Sequence, residues 1–276
     1  MGKATESGIF TKRNIFVFSL LGLLLLISFI LNLLLGSIHI PTKEALQVLF
    51  GNSENELWRT ILFNFRLPKS ITAIVAGAAL SVSGLQMQTT FRNPLAGPYV
   101  LGISSGASLG VAIMLLGFSS IASVKLTGLL TSFSLAGAAI LGSMVVLFVI
   151  LAVSVRVKDI MTILILGMMF GSAASALVSI LQFFSNESML KAFVIWTMGS
   201  LSSVAGMQLH VFTGIVGLGL IMSLISIPML NVIQLGDTYA KGVGLNMGLS
   251  RTMIFLSTSL LAGGVTAFCG ARIIRA

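Results

Sequence analysis

The sequence is short of nearly everything that chemistry in water relies on. Charged side chains make up 8% of its 276 residues, against roughly 25% in soluble domains, and only seven of them are acidic. The single cysteine, Cys269, excludes an intrachain disulfide and a thiolate metal cluster. The two histidines, His39 and His210, lie far apart, and no His-Glu-x-x-His or comparable spacing accompanies them. They read as interfacial side chains rather than metal ligands, and no cofactor is implied. No Gly-x-x-x-x-Gly-Lys-Ser/Thr loop occurs, so the chain does not hydrolyse ATP by itself. Nor does any Asp, Glu, Lys or Arg fall well inside an apolar run. A proton- or sodium-coupled transporter usually keeps one there, so any energy source lies elsewhere.

What is present is apolar: 56% of residues are hydrophobic, and they come in long uninterrupted runs. That is the composition of an all-α, polytopic transmembrane bundle. The net charge of +9 is spread singly between these runs. The basic residues therefore read as topology determinants and contacts to membrane lipid, not as a nucleic-acid surface.

Taken in order, the first span runs from Ile15 to Leu35, long enough to cross a hydrocarbon core of about 30 Å. Residues 36–70 are the most polar segment and predict two short interfacial pieces, Pro41 to Phe50 and Glu54 to Phe65. A second span covers Ile71 to Thr90, where Ala73, Gly77, Ser81 and Gly84 supply small residues that let neighbouring helices approach. Gln86 and Gln88 near its end need hydrogen-bond partners. A short third span ends near Gly117, with Ser104 or Ser105 placed to cap its start and Gly106 and Gly110 giving a close-packing face. A fourth span fits between Lys125 and Arg156. The fifth, from beyond Asp159 to Gln182, carries Gly167 and Gly171 and reads as interior, like the second. A sixth span over Leu209 to Leu230 meets Pro228 late, and a seventh covers Met253 to Phe268. Charges on alternate loops balance, so orientation rests on the basic N-terminal flank of the first helix, which favours a cytoplasmic N-terminus.

Two stretches between spans carry information. Arg92 to Gly110 holds two of the five prolines, four glycines and the only charge between Ser70 and Val124. Such irregular backbone survives at membrane depth only when protein buries it or it lines a wet cavity. Asn93, Pro94 and Leu95 form a gate or a plain turn. Residues 231–251 contain a polar loop, Gln234 to Asn246, with a one- to two-turn helix that Asp237 can cap and Gly242 or Gly244 can end. This loop docks a cytosolic partner or simply closes a connection. With the N-terminus inside, both stretches fall on the cytoplasmic side.

The motifs Arg-Leu-Pro-Lys at 66–69, Met-Gln-x-x-Phe-Arg-Asn-Pro-Leu-Ala-Gly-Pro at 87–98 and Leu-Gly-Ile-Ser-Ser-Gly-Ala at 101–107 closely resemble one family. So do Trp-Thr-Met-Gly-Ser-Leu from Trp196, Leu-Gly-Asp-x-Tyr-Ala-x-x-Val-Gly-Leu-Asn from Leu235, and Gly-Val-Thr-Ala-Phe-Cys-Gly from Gly264. The family is that of the FecCD-type permease subunits of ABC importers for iron-siderophores, haem and cobalamin. The resemblance implies a type II importer permease of ten helices that pairs with a second permease copy or paralogue around a central path. It further implies a separate ATPase subunit, a substrate-binding protein, and a place in a bacterial inner membrane. It assigns Leu235, Gly236, Asp237, Tyr239, Ala240 and Gly244 to ATPase coupling, Asn93, Pro94 and Leu95 to the cytoplasmic gate, and the fifth span to the path. The family continues beyond Phe-Cys-Gly into further helices, whereas Ala271-Arg-Ile-Ile-Arg-Ala ends this chain. About seven of ten helices are therefore expected over residues 1–276, a permease domain incomplete at its C-terminus. The expected function is import of an iron chelate; a non-transporting membrane scaffold and, more remotely, a secondary transporter are the alternatives.

Overall fold

A computed structural model describes residues 11–36, 38, 40–49, 55–117, 128–157 and 159–271. His39, Phe50, Glu54, Lys125 and the segment 272–276 lie outside the described residues. Among the described residues all regular secondary structure is helical, with no strand. The elements are α1 (Lys12–Leu34), α2 (Thr42–Leu49), α3 (Glu56–Thr60), α4 (Leu67–Phe91), α5 (Ile103–Ala112), α6 (Gly128–Arg156), α7 (Ile160–Phe183), α8 (Glu187–Met198), α9 (Met207–Gln234), α10 (Asp237–Gly242) and α11 (Met247–Cys269). Six helices are long and apolar enough to cross a membrane, and the expected third span is the shorter apolar helix Ile103–Gly117.

The polar segment departs from expectation. Residues from Glu56 onward are not a separate interfacial piece; a π-helical turn over Ile61–Arg66 joins α3 to α4, so one helix runs Glu56–Phe91. The reason lies in Arg66, whose charge suggested an interface. Its guanidinium is buried and donates to the carbonyls of Leu33 (2.7 Å), Leu34 (2.8 Å) and Ile38. The last carbonyls of α1 have no partner within their own helix, and this arginine supplies one.

Chain contacts divide the molecule into two units, Met1–Ile71 and Thr72–Ala276. In the first unit, Leu33, Ile40, Ala45, Val48 and Leu62 form a small core with Phe29 and Trp58. Ser70 donates to Asn32 Oδ1 at 3.0 Å.

In the second unit small residues set the spacing. A Cβ built on Gly106 would collide with the Gly142 carbonyl, one on Gly110 with the Ala138 carbonyl, and one on Gly142 with the Gly106 carbonyl, so the backbones of α5 and α6 touch. Gly167 of α7 is pressed against the Val100 carbonyl in the same way, and Gly171 sits in ordinary contact beside Gly102 and Ser105. Gly77 and Gly84 behave differently. A Cβ on either meets nothing within 4 Å, so within this chain they make no close helix approach.

Among the described helices long enough to cross a membrane, α11 is the most buried. The most apolar stretch of α11 is 72% buried, against 39% for the Glu56–Phe91 helix and 22% for α7. The expectation that the second and fifth spans are the interior ones is corrected accordingly: small residues alone do not make a helix central, because one packed face leaves the other open. Gln86 ties α4 into this centre, donating to Ser226 Oγ and Ser257 Oγ at 3.1 Å each and accepting from Thr258 at 2.9 Å. Gln88 is exposed. Helix α9 continues through Pro228 to Gln234. Asp159 caps α7, where the Thr162 hydroxyl and the Thr162 and Met161 amides hold its carboxyl below the usual aspartate range.

Candidate functional site

The turn after α4 is built by helix-stop chemistry. The Arg92 amide bonds the Thr89 carbonyl at 3.3 Å and the Asn93 amide reaches back to the Gln88 carbonyl at 3.1 Å. These two bonds close a helix C-terminus around a left-handed residue. That residue is Arg92, at φ 50°, the one positive-φ residue other than glycine among the described residues. The Asn93 side chain then accepts from the Leu95 amide at 2.9 Å, and the Asn93 carbonyl accepts from Ala96 at 3.0 Å, making a tight turn with Pro94 at its corner. Leu95 is left 82% exposed at the tip.

Beyond the tip the chain dives inward. Pro98–Leu101 forms one 3-10 turn, and Gly102, at φ 70°, starts α5. Neither Ser104 nor Ser105 caps this helix; Gly102 holds that place, and Ser104 faces Thr266 of α11 instead. A Cβ on Gly102 would sit 3.0 Å from the Gly167 carbonyl. Positive φ and close approach together explain a glycine there.

The second stretch forms α10 between two glycines. Gly236, at φ 116°, is the N-cap residue, and Gly244, at φ 82°, turns the chain out after the helix. The Leu245 amide bonds the Ala240 carbonyl at 2.9 Å and the Gly244 amide bonds that of Lys241 at 3.0 Å, while Asn246 caps α11 through the Leu249 amide. Ala240 is buried, whereas Leu235, Tyr239, Val243 and Leu249 are each more than half exposed. Three large exposed side chains on one short loop, with a fourth on the first turn of α11, exceed what an isolated surface turn needs.

Asp237 does not cap α10 as expected. Its side chain reaches sideways to Arg92 Nη2 at 2.6 Å and Arg251 Nη2 at 3.3 Å, while Arg92 Nη2 also donates to the Ile233 carbonyl at 2.8 Å. The structure thus brings the Asn93–Leu95 turn and the α10 loop together across 145 residues of chain. Arg92 and Arg251 were not among the site residues singled out from sequence. A signal was available: Arg92 is the lone charge in a long apolar interval and Asp237 the last acidic residue of the chain, and sparse charges near a membrane tend to pair. Among the described residues, no group of three His, Cys, Asp or Glu side chains is placed to hold a metal ion.

The FecCD transport family matches residues 24–272. The hemin transport system permease protein HmuU of Yersinia pestis is 33% identical over 253 residues, covering 91% of this chain and 74% of that protein. The vitamin B12 import system permease protein BtuC of Klebsiella pneumoniae is 32% identical, with 91% and 71% covered. The iron(3+)-hydroxamate import system permease protein FhuG of Bacillus subtilis is 31% identical, with 94% and 77% covered. A solved chain of a metal-chelate type ABC transporter, in an inward-facing conformation, superposes with a TM-score of 0.74 at 30% identity, covering 92% of this chain and 76% of that one.

Proposed function

The chain belongs to the FecCD transport family, and from that premise we propose that it is the membrane-spanning permease subunit of an ATP-driven importer whose cargo is an iron chelate, a hydroxamate siderophore or haem. Two of the relatives above are named for such cargo. The chain lies in a bacterial inner membrane with its N-terminus in the cytoplasm, and it works with a separate ATPase subunit, a second permease copy or paralogue, and a substrate-binding protein.

The observation that carries this reading is the junction of the two loops. The exposed side chains of Leu235, Tyr239 and Val243 offer a knob to a partner, and the turn Asn93, Pro94, Leu95 is tied to the same loop through Arg92. In alternating access, the ATPase presses on the α10 loop, residues Leu235, Gly236, Asp237, Tyr239, Ala240 and Gly244 move as one piece, and the turn follows. Closing the turn shuts the cytoplasmic end of the path.

The test is uptake. The chain is co-expressed with an ATPase subunit and a substrate-binding protein of a FecCD-type importer in cells lacking their own chelate importers, and accumulation of labelled ferric hydroxamate and haem is measured with and without ATP depletion. ATP-dependent accumulation of one of the two is expected. Accumulation that survives ATP depletion but collapses with the ion gradient would overturn the proposal. Tyr239→Ala should cut uptake by weakening retention of the ATPase subunit on purification, since exposed aromatic anchors dominate such contacts.

A further inference from the structure

We infer that Arg92, Asp237 and Arg251 form a strut that passes movement of α10 to the turn after α4, with Asp237 acting inside the permease rather than on the ATPase. The inference rests on reading α10 as the coupling helix and residues 93–95 as the gate; it adds the part that joins them.

Three observations support it. First, the two carboxylate oxygens of Asp237 are divided between two elements: Oδ1 takes Arg92 from the end of α4, and Oδ2 takes Arg251 from the first turns of α11. The same Arg92 nitrogen holds the Ile233 carbonyl near the end of α9. The ends of α4 and α9 and the start of α11 therefore converge on the first residue of α10. Second, the two arginines are unequally free. Arg251 is 6% exposed and lies in the most buried helix, so it is the fixed point. The Arg92 side chain is 42% exposed, at the edge of the turn, so it is the moving one. Third, Arg92 holds a left-handed backbone conformation that costs free energy for any residue but glycine and persists only where its surroundings enforce it. An ion pair this exposed adds little to overall stability. What it fixes is geometry: whichever way the start of α10 goes, Arg92 and the adjoining Asn93 go with it. Arg92 and Asp237 are positioning residues, not contacts to cargo.

The strut is tested first in the purified full chain in lipid nanodiscs. Spin labels are placed at Leu95→Cys and Val243→Cys, both exposed sites; the native Cys269 is buried. A single narrow distance distribution is expected, which Arg92→Gln and, independently, Asp237→Asn broaden, while Arg92→Lys keeps it narrow. An unchanged distribution in both neutral variants overturns the strut.

The second measurement uses the chain assembled with its ATPase and binding protein. Arg92→Gln should lower uptake roughly tenfold, within the range of ordinary coupling between sites, while the ATPase subunit is retained as in the native complex. Arg92→Gln combined with Asp237→Asn should fall no further than the worse single variant, since both cut one link. Loss of ATPase retention in step with uptake, or multiplying defects, overturns the proposal. If the native chain retains no ATPase subunit and moves no chelate, the transport reading fails while the distance measurement still decides whether the strut exists.

Discussion

Helices α1 and α11 are both 23 residues long, yet the most apolar stretch of the first is 6% buried within the molecule and that of the last 72%. The first is also the more apolar of the two. In water that order would be reversed, because burial follows hydrophobicity. In a bilayer, lipid tails are as apolar as leucine, so a Leu-rich helix gains nothing by leaving them, and helices come together through small residues and hydrogen bonds. Helix α1 exposes Leu20, Leu21, Leu23, Leu24, Leu25, Leu26 and Leu31, alongside Ile15, Phe16, Val17, Phe18, Ile27 and Ile30. Helix α11 buries Ser257, Thr258, Gly263, Gly264 and Thr266.

The sharpest way to break this contrast is to enlarge a small residue on the packed side. Gly110→Val puts a branched side chain where the Ala138 carbonyl already blocks a Cβ. Backbone cannot yield as a flexible side chain can, so a loss of about 3 kcal/mol or more is expected, the upper end of overpacking. Gly77→Ala, with nothing within 4 Å of the new carbon, should instead stabilise the chain by about 0.5–1 kcal/mol, because alanine holds a helix interior better than glycine. Unfolding in graded denaturing detergent measures both. Equal effects would show that the sequence pattern of small residues, not the contact, is what matters.

Next in size is the polar part of the packed centre. Gln86→Leu removes the three bonds to Ser226, Ser257 and Thr258. Bonds between membrane helices average about 0.6 kcal/mol each, so a loss of about 2 kcal/mol is expected in the same assay. An unchanged midpoint would mean that the three hydroxyls repair themselves on their own helix carbonyls.

These two sites also mark what could be read from the sequence. The spans were legible because an apolar run of some twenty residues is a local property, and so was the small helix after α9, bracketed by Gly236 and Gly244. The need of Gln86 for partners was legible; which partners was not, since they lie 140 to 172 residues away. Gly77 and Gly110 carry the same sequence signal with opposite structural outcomes, because the signal says nothing of what stands opposite. Arg66 misled for a related reason: a charge read as a sign of the interface instead satisfies buried carbonyls of α1. The Arg92–Asp237 pair is the same case at longer range.

Ser259 is the exception within α11, and it offers a gain rather than a loss. Among the described residues its buried hydroxyl has no hydrogen-bond partner; it borders a cavity of about 290 Å³ between α6, α9 and α11, whose lining is otherwise mostly apolar. An orphaned buried hydroxyl costs desolvation without return, so Ser259→Ala should stabilise the chain by about 1 kcal/mol. Destabilisation instead would reveal a partner for the hydroxyl, such as a water held in the cavity.

The smallest effect is expected on the other side of the comparison. Leu25 of α1 is 53% exposed, and in the membrane its outer face meets lipid. Leu25→Ala leaves no cavity there, because fluid acyl chains fill the space the side chain leaves, and alanine keeps the helix well formed. Without the cavity cost that makes buried leucines expensive to truncate, the change should stay within about 0.5 kcal/mol. The measurement is the detergent unfolding midpoint of Leu25→Ala beside that of Leu261→Ala, whose side chain is fully buried in α11 and whose loss should cost at least about 2 kcal/mol. If the two leucines proved equally costly, α1 would be packed against protein in the membrane rather than lipid, and the division between a lipid-facing first helix and a protein-packed last one would fail.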